Sequence, residues 1–154
     1  MPRRKLSAAD YAAYLLTRRL QSRHELEEKL ARKKYESEDI QDVIKRFTEL
    51  NLINDERFAR SYVSDKVDFA RRGRWRIALE LKKKGIAKEL IDMSINEIDP
   101  TDELEAARAV LKGRERLWAN LEPQKKYQRS VGLLSRRGFS VKIIQTVLRT
   151  DSEE

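Results

Sequence analysis

The chain has 154 residues and a mass of 18.2 kDa, with 40% hydrophobic and 39% charged residues, five Gly, three Pro and no Cys. This composition excludes a disulfide framework, a thiolate metal site and a cysteine nucleophile, and no apolar run approaches the ~18 residues of a membrane span. A formal charge of +8 and a pI of about 9.8 favour acidic partners: nucleic acid, an acidic protein groove or an anionic membrane surface.

The opening MPRRKLSAADYAAYLL is basic and then apolar, like a secretory signal. Asp10 interrupts the apolar part and no small-residue cleavage site follows, so a soluble cytoplasmic protein is expected. The first predicted helix places Tyr11, Tyr14, Leu15 and Leu20 on one face. The second opens with SRHE, a capping box in which Ser22 accepts from the Glu25 N–H while Glu25 reaches back, and it carries Leu26 and Leu30. A third helix follows with Ile40, Ile44 and Phe47. Next come a helix with Phe58, Tyr62 and the Val67 region, a helix with Ile77 and Leu81, and one with Ile91 and Ile95. Asp99-Pro100 reads as an N-cap with Pro at the first helical position. Leu104, Ala107, Leu111 and Trp118 continue that helix, and Pro123 ends it.

Three stretches share one pattern: LARKKYESEDI (30–40), LKKKGIAKELI (81–91) and LSRRGFSVKII (134–144). Aligned on Tyr35, Ile86 and Phe139, they stand 51 and 53 residues apart. Each has Leu five positions before the anchor, Ile five after it, and Ile44, Ile95 or Leu148 nine after it. Offsets of five and nine lie one helical turn apart, on one face. The pattern predicts an all-α chain of three tandem three-helix units resembling helix-turn-helix modules, elongated and curved, with boundaries at 1–53, 54–98 and 99–154. The basic residues and the glycine of each stretch form a helix stop. Cations suit the exposed carbonyls of the last turn, and Gly85 and Gly138 supply a left-handed residue just past the end. Lys34 stands in the glycine's place, which predicts a mildly strained left-handed lysine or a different turn.

Helix-end electrostatics asks for only one or two cations per terminus, and the middle unit has more. Between Glu56 and Lys88 there are eleven Lys and Arg against four acids. This surplus can attract phosphates or an acidic protein surface. The candidate partner-binding residues are Arg71, Arg72, Arg74, Arg76, Lys82, Lys83 and Lys84, with Lys33 and Arg136 as lesser candidates. Trp75 is assigned to the edge of a thin core, ahead of stacking on a base or anchoring a protein interface. Trp118 is assigned to the core, and His24 to the solvated surface. No HExxH, GxSxG or Walker-type loop occurs, and the acidic strings Glu36–Asp42 and Pro100–Glu105 suit the first turns of helices. No enzyme, metal site or cofactor is expected.

The order SRHELEEKLARKKY, LNLINDERFARSYVSDKV, GRWRIALELKKKGI and then a third basic-aromatic copy resembles the RecX family of bacterial recombinase regulators. The likeness is most specific at Asp55, Glu56, Arg57, Phe58 and Ala59, and at Gly73, Ile77, Glu80, Leu81, Lys84, Gly85 and Ile86. It spans nearly the whole chain, more loosely after Pro100. No family role transfers to Trp75 or Arg76, where members vary widely. The resemblance implies a tandem array of three-helix units and a partner, the RecA recombinase filament on single-stranded DNA. It implies that the protein modulates, usually inhibits, ATP hydrolysis, strand exchange and co-protease activity in recombination, DNA repair and the SOS response. A monomer without a membrane role is expected, with weak single- or double-stranded DNA binding as a secondary property. The alternative is a non-specific nucleic-acid binder without a recombinase partner. Against sequence-specific readout, a recognition helix offers its N-terminal residues to the bases, and the first of the three third helices begins with the acidic ESEDIQD.

Overall fold

The computed structural model describes residues 1, 3–150 and 153. Among them are ten helices: α1 (Ala8–Arg18), α2 (Arg23–Arg32), α3 (Ser37–Glu49), α4 (Asp55–Asp68), α5 (Arg74–Lys83), α6 (Lys88–Asn96), α7 (Pro100–Lys112), α8 (Glu115–Trp118), α9 (Pro123–Arg136) and α10 (Val141–Thr150). No strand occurs among the described residues, and none of the helices is long and apolar enough to cross a membrane.

The three predicted stops share one hydrogen-bond pattern. Tyr35, Ile86 and Phe139 donate to the carbonyls of Leu30, Leu81 and Leu134, while Lys34, Gly85 and Gly138 donate to Ala31, Lys82 and Ser135. This pair of bonds is the Schellman motif, which satisfies orphan carbonyls at a helix end. The middle residue must be left-handed, and it is: φ is 62° at Lys34, 75° at Gly85 and 89° at Gly138.

Apolar burial divides the molecule in two. α1–α3 enclose one cluster, with Leu26, Leu30, Ile44 and Phe47 at its centre. α4–α10 enclose a second, continuous cluster running from Phe58 through Leu81 and Ala107 to Leu134 and Val147. The accessible surface is 10949 Å², against about 8,100 Å² for a compact monomer of 18.2 kDa. Such an excess is what an extended array of thin units produces.

Three expectations are corrected here. Tyr14 and Leu20 are exposed, and α1 buries Ala8 and Ala12 instead. Small residues let α1 approach closely, and Leu20 falls beyond the helix, which ends at Arg18. Pro123 does not end the helix of Leu104 and Ala107; it occupies the first turn of α9, where its missing N–H costs nothing. α7 stops at Lys112, and Trp118 is buried as expected but from the separate short helix α8. Trp75 is 68% exposed, because α5 meets the third unit through its backbone and not through this side chain.

Candidate partner-binding surface

The N-terminus of the second helix in each of the first two units receives the stop of the unit that follows. At the first seam, the Ser22 hydroxyl accepts from Glu25 N–H at 3.1 Å and donates to the Lys84 carbonyl at 2.8 Å. At the second, Gly73, the corresponding N-cap, donates its N–H to the Arg137 carbonyl at 2.8 Å, and Trp75 N–H donates to Gly138 at 3.1 Å. The helix stop is therefore also a plug that fits the preceding unit. The approach is close at both places. A Cβ at Gly85 would stand 2.4 Å from that of His24, and one at Gly138 would stand 2.3 Å from the Arg76 nitrogen.

The two seams, and one cluster inside the middle unit, absorb much of the basic charge. Lys84 Nζ binds Glu25 Oε1 at 2.6 Å, with Arg19 on the other oxygen at 3.1 Å. The expected capping box is thus half formed: Ser22 caps, while the Glu25 carboxylate turns to the seam. Arg72 and Arg76 both bind Glu80 Oε1, at 2.6 and 3.2 Å, and Glu80 also accepts from the Tyr62 hydroxyl at 2.6 Å. Arg74 grips the fully buried Glu103 of α7, with Nε and Nη2 at 3.0 and 2.9 Å from Oε2. In the sequence Glu103 reads as a helix-start carboxylate, yet it is a partner brought from 29 residues away.

Burial pushes the Glu25 carboxyl up, but Lys84 and Arg19 outweigh it and hold it below its ordinary value; Tyr62, Arg72 and Arg76 do the same for Glu80 against its own burial. A carboxyl depressed on folding stabilises above its unfolded pKa, and that stability is lost as pH falls through the folded value. Acidification below the ordinary glutamate range is therefore expected to loosen the first seam while both apolar cores persist. Small-angle scattering would show a rising radius of gyration with far-UV helicity retained, and Glu25→Gln would remove the step. Helicity and radius changing together would contradict this order.

What remains on the surface differs from the sequence's inventory. Arg72, Arg74, Arg76 and Lys84 are held in internal ion pairs. Lys82 and Lys83 are exposed at the end of α5 and form no ion pair among the described residues. Arg71, left-handed at φ 52°, is exposed and lines a groove with Asp68, Asp102 and Glu105, beyond salt-bridge distance of any acid among the described residues. Lys33 is exposed with its Nζ 5.5 Å from the Tyr11 ring centroid, and the carbonyl of exposed Arg136 accepts from Arg76 at 3.5 Å. His24 is partly exposed and meets Glu28 at 3.2 Å.

Sequence reasoning missed Leu79. It is 53% exposed one turn after Trp75, and Lys82 and Lys83 follow at the next turn. Positions 75, 79, 82 and 83 share one side of a helix, opposite the buried Ile77 and Leu81. The signal was available in that spacing, but Trp75 was assigned to the core. α5 thus presents an aromatic, an aliphatic and two cations in a row to solvent. A buried aromatic anchor with a charged rim is the usual chemistry of a protein interface hot spot.

Comparison with known proteins agrees with the architecture. The family model described as the first three-helix domain of RecX matches residues 8–47, and that of the second three-helix domain matches residues 54–95. Regulatory protein RecX of Streptomyces coelicolor is 33% identical over 140 residues, covering 91% of this chain and 74% of the relative. That of Vibrio campbellii is 36% identical over 149 residues, covering 97% and 94%. The crystal structure of RecX from Lactobacillus salivarius superposes with a TM-score of 0.82 at 25% identity, over 93% of each chain.

Proposed function

The chain belongs to the RecX family of regulatory proteins, and from that premise we propose that it binds the RecA recombinase filament and restrains its ATP hydrolysis, strand exchange and co-protease activity. It would act in the cytoplasm as a monomer whose three units, taken as 1–53, 54–98 and 99–154, lie along the filament groove. Several modest contacts on one array combine through effective concentration. The observation that carries this reading is the solvent-facing row Trp75, Leu79, Lys82 and Lys83 on α5. Apolar anchors with cations beside them suit an acidic protein surface.

The test is single-strand-dependent ATP hydrolysis by RecA during titration with this protein, DNA sites being in large excess over it. Suppression at that ratio supports action on the filament, since too little protein is present to mask the DNA. Suppression only as the protein approaches the DNA sites would make it a competing nucleic-acid binder, and no effect would remove the recombinase reading. Trp75→Ala with Lys82→Gln and Lys83→Gln is expected to weaken suppression at least tenfold while the Tm falls by only a few degrees, because these side chains contact solvent and support no core, and each cation at the helix end contributes only about 0.3–1 kcal/mol. Arg71→Ala is expected to have a smaller effect. Rising salt should weaken the cationic part of the contact.

A further inference from the structure

The third unit departs from the other two between its first and second helices. Arg18 and Arg23 bound the first such connection, and Asp68 and Arg74 the second, whereas α7 ends at Lys112 and α9 begins at Pro123. The inserted segment, with α8 inside it, spreads α7 from α9. A groove of 580 Å³ opens between them, within the size range of ligand-binding clefts. Leu111, Trp118 and Leu148 contribute its apolar lining, and Tyr127, 56% exposed, stands in its α9 wall. Arg108 and Lys112 belong to α7, one turn apart, and Lys126 to α9. None of these three cations lies within salt-bridge distance of an acid among the described residues, and Glu115 is the one acid in the lining.

We propose that this groove is a docking site for an acidic amphipathic segment of a protein partner, with an apolar side chain seated between α7 and α9 and carboxylates meeting Arg108, Lys112 and Lys126. The charge on the two walls and the apolar lining between them define that chemistry. A single nucleic-acid strand fits less well, because it needs successive stacking platforms along a basic track. Here one ring, Tyr127, is exposed. Elsewhere in the protein cations pair across elements, as Lys84 does with Glu25 and Arg74 with Glu103. This site is distinct from the row on α5, and either can fail without the other.

In a Trp75→Phe background Trp118 is the sole tryptophan, and its emission reports on the groove. The variant is titrated with a panel of 15-residue peptides combining Glu or Asp with Leu or Phe at helical spacing. Basic counterparts and an oligothymidylate of matched length are titrated alongside. A saturable shift with acidic peptides is expected, weakened tenfold or more by Arg108→Glu with Lys126→Glu and absent with basic peptides. Far-UV spectra confirm that the reversal variant is folded; the milder Arg108→Gln and Lys112→Gln serve if it is not, with a several-fold loss expected. No saturable response across the acidic panel overturns the proposal. So does an equal response to the basic peptides, and tighter binding of the oligothymidylate would reassign the groove to nucleic acid.

Discussion

Gly138→Ala is expected to be among the most damaging single substitutions in the chain, lowering stability by about 2–5 kcal/mol. The residue sits at φ 89°, where a side chain costs about 1–2 kcal/mol. Its added Cβ would also meet the Arg76 backbone nitrogen at 2.3 Å, an atom that cannot swing away. To relieve the clash, the third unit's stop must withdraw from the N-terminus of α5. The Gly73-to-Arg137 and Trp75-to-Gly138 bonds would go with it. Because the second apolar cluster runs through both units, that movement opens a core and not merely a surface. A fall in Tm of about 4–20 °C follows for a chain of this size. Gly113→Ala is the control: φ there is −64° and the nearest atom to a new Cβ is 3.4 Å away, so the change should be neutral or stabilising by about 0.4–1 kcal/mol. Equal Tm values for the two variants would refute the role assigned to the seam.

Glu103→Ala is the second large effect. The carboxylate is 1% exposed and holds both Nε and Nη2 of Arg74. Removing one member of a buried pair strands the other charge, a loss of about 3–5 kcal/mol in general. Arg74 keeps 29% of its side chain in contact with water, so its stranded charge is partly solvated and the cost here falls near the low end, about 3 kcal/mol. Glu103→Gln keeps the shape and one acceptor and should cost less than the alanine variant. Denaturant titration of the two variants checks the order, and a smaller loss for alanine than for glutamine would count against an ionic role. Asp102→Ala, next to it on the exposed side of α7, should change stability by no more than about 0.5 kcal/mol.

Much of the fold is legible because it rests on local rules. The five- and nine-residue offsets around Tyr35, Ile86 and Phe139 place Ile40, Ile44, Ile91 and Ile144 in the core, where they are found. The left-handed lysine at 34 follows from the alignment of three stops, two of which hold glycine. Pro123 misleads because a proline opens a helix as readily as it follows one, and nothing within a few residues decides between the two. The candidate surface was harder to read for a different reason. Whether a lysine is free depends on which acid the fold brings to it. Glu25 lies 59 residues from Lys84, and Glu103 lies 29 from Arg74. A count of charges along the chain cannot distinguish Lys84, consumed by a seam, from Lys82 and Lys83, which face solvent. Trp75 escaped for a related reason: at this residue α5 touches the third unit through its main-chain N–H alone, and no side-chain pattern records such a contact.

The lysine at position 34 limits how such a protein can grow. Both internal joints need an atom-free space beside the stop, and glycine provides it at positions 85 and 138. A further unit fused ahead of the first would have to seat its second helix against Lys33 and Lys34, where a Cβ already fills that space. Duplication at this end would therefore give a loosely tethered domain and not a longer rod, until position 34 mutated to glycine. The residue at a stop thus decides whether a preceding unit can be seated as closely as the two internal joints are.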